Sequence, residues 1–234
     1  MWFHSFKRIF LINLASRPDR RSGATAELRR LGVPFELLPA VAGKDNPFAQ
    51  WYYRAILQQS NQNPPGAMGC HLSHALAWTH AILDAAVAPE DWVLVFEDDL
   101  AWHPLTTNEG IGSLLQEVPE DANMIRFTMA SLAPNLGAVV QNGQLRRVSR
   151  NVFLQTAETA STLMYAVRKF VLPELLKWKF QRPIDLILVP KTYLTLPYET
   201  GVPEPNTKNY HFGVCYQCGS DSDVREVAST QAGT

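Results

Sequence analysis

Apolar and polar positions fall into alternating blocks along the first hundred residues. The run RIFLINL, 8–14, is apolar enough to predict a short buried strand. In the following SRPDRRSGATAELRRLG, Ala24, Leu28 and Leu31 share one face of a helix. Ser16 or Asp19 is available to cap its start, and Gly32 and Pro34 end it. Residues 35–41 predict a second strand. Strand, helix and strand make a βαβ unit, whose sheet is expected to be parallel and whose ligand site is expected beyond the strand carboxyl ends.

Residues 45–65 are polar and turn-rich around a predicted helix at 50–59. GAMGCHLSHALAWTHAILDAA then predicts a long helix with Met68, Leu72, Leu76 and Ile82 or Leu83 toward the core. A strand at 92–96 follows. Further on, NMIRFTMA predicts a strand and GAVVQNGQLRRVS a hairpin turning at Asn142-Gly143. STLMYAVRKFVLPELLKW predicts a strand leading into a helix, with Pro173 in its first turns or breaking it. RPIDLILVPKTYLTLPYETG is apolar and bounded by prolines, and residues 226–234 predict a disordered tail.

The 234 residues, 46% hydrophobic and 18% charged, are enough for a substantial core and point to one domain over residues 1–225. Lys and Arg number 21 against 22 acids, so no whole-chain field favours nucleic acid or an anionic membrane. The opening MWFHSFKRIFLINLASRPDRR is interrupted by Lys7, Arg8 and Asn13, too broken for a signal-peptide core and too short for a span. A cytoplasmic protein without a transmembrane segment is expected, with peripheral membrane contact left open. Cys70, Cys215 and Cys218 suit a reducing compartment, and the lone Cys215-x-x-Cys218 favours incidental thiols over a zinc or redox pair.

The chemistry concentrates where the strand at 92–96 runs into Glu97, Asp98 and Asp99. Adjacent carboxylates repel, and burying one is costly without a cation or strong donors. The acids therefore either cap a solvated strand end or form a site for Mn2+ or Mg2+, hard cations that leave positions open for phosphate oxygens. Strand alternation would put Glu97 and Asp99 on one side and Asp98 on the other. Arg17, Arg20 and Arg21 surround the first strand-to-helix turn, where the helix dipole favours anions, so cation and basic turn would grip a diphosphate from two sides. His71 and His74 lie one helical turn apart; Ser73 and His74 read as hydrogen-bonding groups rather than zinc ligands. Asp185, enclosed by apolar neighbours, is either a general base or a cap. His211 is an isolated late histidine able to reach back to a metal. Trp51, Tyr52 and Tyr53 either stack on a sugar or belong to a core.

FLINLASRPDRR, PAVAGKD, GAMGCHLSHALAW, VLVFEDDL, STLMYAVRKFVLPELL, RPIDLIL and VCYQCGSDSDVR together resemble, in order and spacing, glycosyltransferase family 25. This family includes bacterial lipooligosaccharide β-galactosyltransferases and the collagen galactosyltransferase domain. The resemblance implies an α/β, GT-A-like, Rossmann-type nucleotide-sugar fold with a mostly parallel central sheet flanked by helices. It further implies a nucleotide-binding half at about 7–130, an acceptor half at 131–225, and Mn2+-dependent inverting transfer of a hexose from a UDP-sugar to a glycan, glycolipid or protein hydroxyl. Carried onto this chain, it places Asn13, Arg17, Asp19, Arg20, Ser73, His74, Glu97 and Asp98 at the donor, and Asp99 with Glu97 at the metal. Asp185 becomes the base, and Ser222 and Asp223 lie on the acceptor side. Met164-Tyr165 stands where the family often has Gly-Tyr. A nucleotide-sugar hydrolase and a degenerate sugar-nucleotide-binding module are the rival readings, and the first has no second acid cluster for a two-metal site.

Overall fold

The computed structural model describes residues 1–52, 65–159, 161–177, 189–204 and 208–218. After a short 3-10 turn, β1 (Phe6–Asn13), α1 (Pro18–Arg30) and β2 (Glu36–Pro39) form the expected βαβ unit, with β1 and β2 parallel. Then come α2 (Pro47–Tyr52), α3 (Pro65–Leu83) and β3 (Trp92–Glu97). β3 pairs in parallel with β1 on the side away from β2, with Ile12 opposite Glu97. The chain thus leaves β1 in one direction and returns in the other, and the crevice at the carboxyl ends of β1 and β3 is a topological switch point, the place where open α/β sheets take ligands.

The second half completes the sheet. After β4 (Leu100–Trp102) and α4 (Asn108–Glu117), β5 (Met124–Arg126) joins the large sheet while β6 (Thr128–Ser131) leaves it. α5 (Leu136–Gln141), β7 (Leu145–Arg147), β8 (Val152–Gln155), β9 (Met164–Arg168), α6 (Leu172–Leu176) and β10 (Thr192–Thr195) follow. The eight strands run in the order β2-β1-β3-β9-β5-β10-β8-β7. β5 and β10 are parallel; β9 is antiparallel to both neighbours, and β8 is antiparallel to β10 and β7. The architecture is therefore α/β with a mixed central sheet flanked by helices. β11 (Val202–Pro203) and β12 (Tyr210–Gly213) extend β6 into a small sheet, and β13 (Cys215–Gln217) pairs with β4.

Alternation along β1 and β3 fills two cores. Ile9, Leu11, Leu94 and Phe96 pack with Ala24, Leu28 and Leu31 around α1, whereas Phe10, Ile12, Val93 and Val95 pack with Ala77, Trp78 and Ala81 of α3 and Leu172 and Leu175 of α6. Each such fully buried large side chain contributes about 1.5–3 kcal/mol, so the central strands and α3 form the rigid frame of the switch-point crevice.

Several local expectations are corrected. The predicted hairpin over GAVVQNGQLRRVS is a helix followed by a strand. Asn135 accepts from the Ala138 N–H as N-cap and Leu136 and Val139 face the core, while Gly143, at φ +73°, makes the turn into β7. NMIRFTMA is two strands in two sheets. Neither Ser16 nor Asp19 caps α1, whose N-cap is Arg17 with no side-chain cap bond. The helix expected at 50–59 starts earlier, as α2, and its later part lies outside the described residues, as do the segment holding Asp185 and the tail. No helix among the described residues is long and apolar enough to cross a membrane.

Candidate active site

β1 ends at Asn13, whose buried side-chain amide donates to Asp98 Oδ2 at 2.6 Å and to the Arg17 carbonyl at 3.1 Å. A single amide thus joins the turn that starts α1 to the acids that end β3. On the first turns of α1, Arg20 Nη1 lies 3.6 Å from Asp98 Oδ1 and 3.8 Å from Asp99 Oδ2. Arg17 instead forks onto Asp19, at 3.1 and 2.9 Å, and that bond holds the Asp19 carboxyl down at about 2.

β3 stops at Glu97, so strict alternation does not carry on through the acids: Asp98 and Asp99 form a turn, and both face Arg20. Asp99 Oδ2 accepts from Gln217 Nε2 at 2.8 Å, and its carbonyl accepts from the Cys218 N–H at 2.7 Å, so the strand following β12 is stitched to the acidic turn. Asp99 Oδ1 is buried and has no hydrogen-bond partner among the described residues. Burial first, then the charge of Glu97, push the Asp99 carboxyl up to about 7, against the pull of Arg20. Burial likewise raises Asp98, partly offset by Asn13 and Arg20.

Glu97 turns to the α3 side, continuing the face of Val93 and Val95. Its Oε1 lies 3.3 Å from His74 Nε2 and accepts from the Thr162 hydroxyl. Burial works to raise the Glu97 carboxyl, but His74 and Thr162 outweigh it and hold it below the ordinary range. His74 Nδ1 lies 2.9 Å from the Tyr165 hydroxyl, which also receives the Trp78 indole N–H at 2.8 Å.

The helix that carries His74 is set by its neighbours. Ser73 Oγ donates to the Gly69 carbonyl at 2.6 Å and accepts from the Val41 N–H at 2.8 Å, fastening α3 to the loop after β2. Gly69 is needed there, since a Cβ would stand 2.8 Å from Gly43 Cα and closer still to Gly43 N and Val41 O. Cys70, His74 and Glu97 bring one ligand atom each within 4.8 Å of one another, the only such trio among the described residues. His211 sits on β12 with Nε2 3.5 Å from Glu204 Oε2 and does not join Glu97 and Asp99 in such a cluster.

The family model "Glycosyltransferase family 25 (LPS biosynthesis protein)" matches residues 6–133, which run from β1 through the acidic turn to just past β6. The chain belongs to glycosyltransferase family 25. Relatives include a glycosyltransferase 25 family member of Drosophila melanogaster, 28% identical over 48% of this chain and 19% of its own, and procollagen galactosyltransferase 1-A of Xenopus laevis, 36% identical over 41% and 16%. The match spans under a fifth of these relatives' length. Among solved structures, HddC from Yersinia pseudotuberculosis complexed with GMP-PN aligns over 88% of this chain and 93% of its own, at 11% identity and a TM-score of 0.38, too loose a likeness to bear on function.

Within this family 25 chain, the sequence-predicted Asn13, Arg20, Glu97, Asp98 and Asp99 come together at the crevice, and His74 joins them through Glu97. Arg17 and Asp19 pair with each other at the same turn, and Ser73 serves the packing of α3. Asp185, Ser222 and Asp223 lie outside the described residues. Sequence reasoning missed Thr162, Tyr165, Trp78 and Gln217 as parts of the site. Tyr165 alone carried a signal, as half of the pair that departs from the usual Gly-Tyr.

Proposed function

We propose that this family 25 chain transfers a hexose, galactose foremost, from a UDP-sugar to a hydroxyl of a glycan, glycolipid or protein, with inversion at the anomeric carbon. Galactose is preferred because the Xenopus relative is named a galactosyltransferase. The observation that carries the reading is the buried Asp99 Oδ1, without a hydrogen-bond partner among the described residues, beside Glu97 and Asp98 at the sheet's switch point. Carboxylate oxygens such as those of Asp98 and Asp99, which both face Arg20, are the hard ligands that Mn2+ or Mg2+ takes, although the three acids do not draw one oxygen each as close together as Cys70, His74 and Glu97 bring theirs. Asp99 would hold the cation with Glu97 assisting. When bound, such an ion neutralises charge on the leaving diphosphate.

The residues of the chain do the rest. Arg20 and Arg17, at the start of α1, bind phosphate where the helix dipole adds to their charge. Asn13 fixes Asp98 and the turn together, so that the basic and acidic edges keep their spacing. Asp185, a proposal from the sequence alone, takes the proton of the acceptor hydroxyl as its oxygen attacks from the face opposite the leaving group.

The test is titration of the purified protein with UDP, and with GDP as control, in Mn2+ and then in chelator, for wild type and Asp99→Ala. Binding that is selective for UDP, needs the cation and is lost in the variant supports the donor half, and product analysis with and without acceptor then separates transfer from hydrolysis. Absence of binding by either nucleotide with Mn2+ present would sink the reading.

A further inference from the structure

We propose that Tyr165 is a positioning residue of the candidate site: pinned by Trp78, its hydroxyl fixes His74 as the Nε2–H tautomer, and that proton secures one oxygen of Glu97 while leaving the other for a ligand. The inference rests on the transferase reading only for its functional consequence. The proton arrangement itself follows from the geometry.

The chain of donors has one consistent direction. An indole N–H can only donate, so Trp78 Nε1 gives its hydrogen to the Tyr165 oxygen at 2.8 Å. The Tyr165 hydroxyl proton then needs an acceptor, because an unpaired buried hydroxyl is costly. His74 Nδ1, at 2.9 Å, is the acceptor within reach. A neutral imidazole that accepts at Nδ1 carries its hydrogen on Nε2. That hydrogen points to Glu97 Oε1 at 3.3 Å, where the Thr162 hydroxyl also donates. Both bonds fall on Oε1, so among the described residues Oε2 receives neither.

The frame around this chain is rigid. Trp78, His74 and Tyr165 are each about 1% exposed. Tyr165 is fixed on β9 opposite Val95 of β3, two residues before Glu97, and His74 and Trp78 lie one turn apart on α3. The rings of His74 and Tyr165 are 5.6 Å apart, and those of His74 and Trp78 6.4 Å. Strand register and helix spacing therefore set the aim of the Glu97 carboxylate, as outer hydrogen-bond partners orient the ligands of metal sites. The same chain bears on the Cys70, His74 and Glu97 trio: with its Nε2 hydrogen committed to Glu97, His74 offers no Nε2 lone pair to a thiophilic cation there.

Tyr165→Phe deletes the hydroxyl and keeps the ring. Two-bond proton–nitrogen correlations of 15N-labelled protein report which ring nitrogen of His74 is protonated, with His74→Gln used for assignment. Wild type is expected to show a single Nε2–H tautomer and Tyr165→Phe a mixture or the Nδ1–H form. Mn2+-dependent UDP affinity should fall about 5- to 10-fold in the variant, the scale of one lost hydrogen bond, while its near-UV circular dichroism stays native. Trp78→Phe, which unpins the hydroxyl without removing it, should move the same signals less. A wild-type His74 protonated on Nδ1, or an unchanged Nε2–H form in a folded Tyr165→Phe, would overturn the proposal. Failure of wild type to bind UDP would count against the transferase reading only, since the tautomer measurement decides this one by itself.

Discussion

Gln217 donates to Asp99 at 2.8 Å across 118 residues of sequence, and among the described residues Gln217 is the only neutral side-chain donor on that carboxylate. Removing it would leave both oxygens of a buried acid without a neutral partner. Gln217→Ala should therefore lower the stability of the metal-free protein by about 1–3 kcal/mol at pH 8, where Asp99 is ionised, and by less at pH 5. Urea unfolding in chelator at the two pH values checks both numbers.

The raised Asp99 carboxyl also gives wild type a signed pH dependence. Its ordinary value is 3.8 and its folded value about 7, so between these the folded state holds the proton more tightly than the unfolded chain. The contribution of this group is greatest below about pH 4 and is lost as pH rises through 7. Asp99→Asn should erase that slope, its stability relative to wild type growing from pH 4 to pH 7 and levelling above. Added Mn2+ should favour wild type alone at the upper end.

His71 works in the opposite sense over nearly the same window. Burial first, with the neighbouring His74 adding to it, holds its ring near 4 against an ordinary 6.5, so the unfolded chain takes up the proton first. Stability from His71 is present above pH 6.5 and is lost as pH falls through 4. His71→Gln, neutral throughout, should flatten the acid limb of a thermal melting series while leaving the limb between pH 7 and 8 as it was.

Two helical glycines should respond oppositely to alanine. At Gly69 the added carbon meets backbone of residues 41 and 43, which cannot yield without moving α3, so Gly69→Ala should cost about 3 kcal/mol or prevent folding. At Gly23, inside α1, nothing lies within 4 Å, and Gly23→Ala should stabilise by about 0.5–1 kcal/mol. Denaturant midpoints of the two variants make the comparison.

How far the sequence disclosed this follows the range of each interaction. The βαβ start, the long helix around His74 and the strand ending at Glu97 are written in local periodicity, and their meeting follows from the rule that parallel strands expose their carboxyl ends together. Asn142-Gly143 marked a true turn, yet turn chemistry does not say whether the element before it is strand or helix. The capping Asn135 and the Leu136–Val139 spacing decided for helix. NMIRFTMA reads as one strand because no glycine or proline interrupts it, but the close approach of Gly213 to Phe127 diverts Thr128 onward into the small sheet. Gln217 and Tyr165 are placed at the site only by long-range pairing, β13 on β4 and β9 on β3, for which no local pattern exists.

That distance has a consequence for birth of the protein on the ribosome. Asn13, Arg20 and the three acids all emerge within the first hundred residues, whereas Gln217 and the Cys218 amide follow 118 or more residues later. At roughly 5–20 residues per second, that is about 6 to 24 s in which the nascent acidic turn has Arg20 and Asn13 but not yet Gln217 to answer it. If the acids hold a divalent cation as proposed, capture in that interval would make it a folding template as well as a ligand.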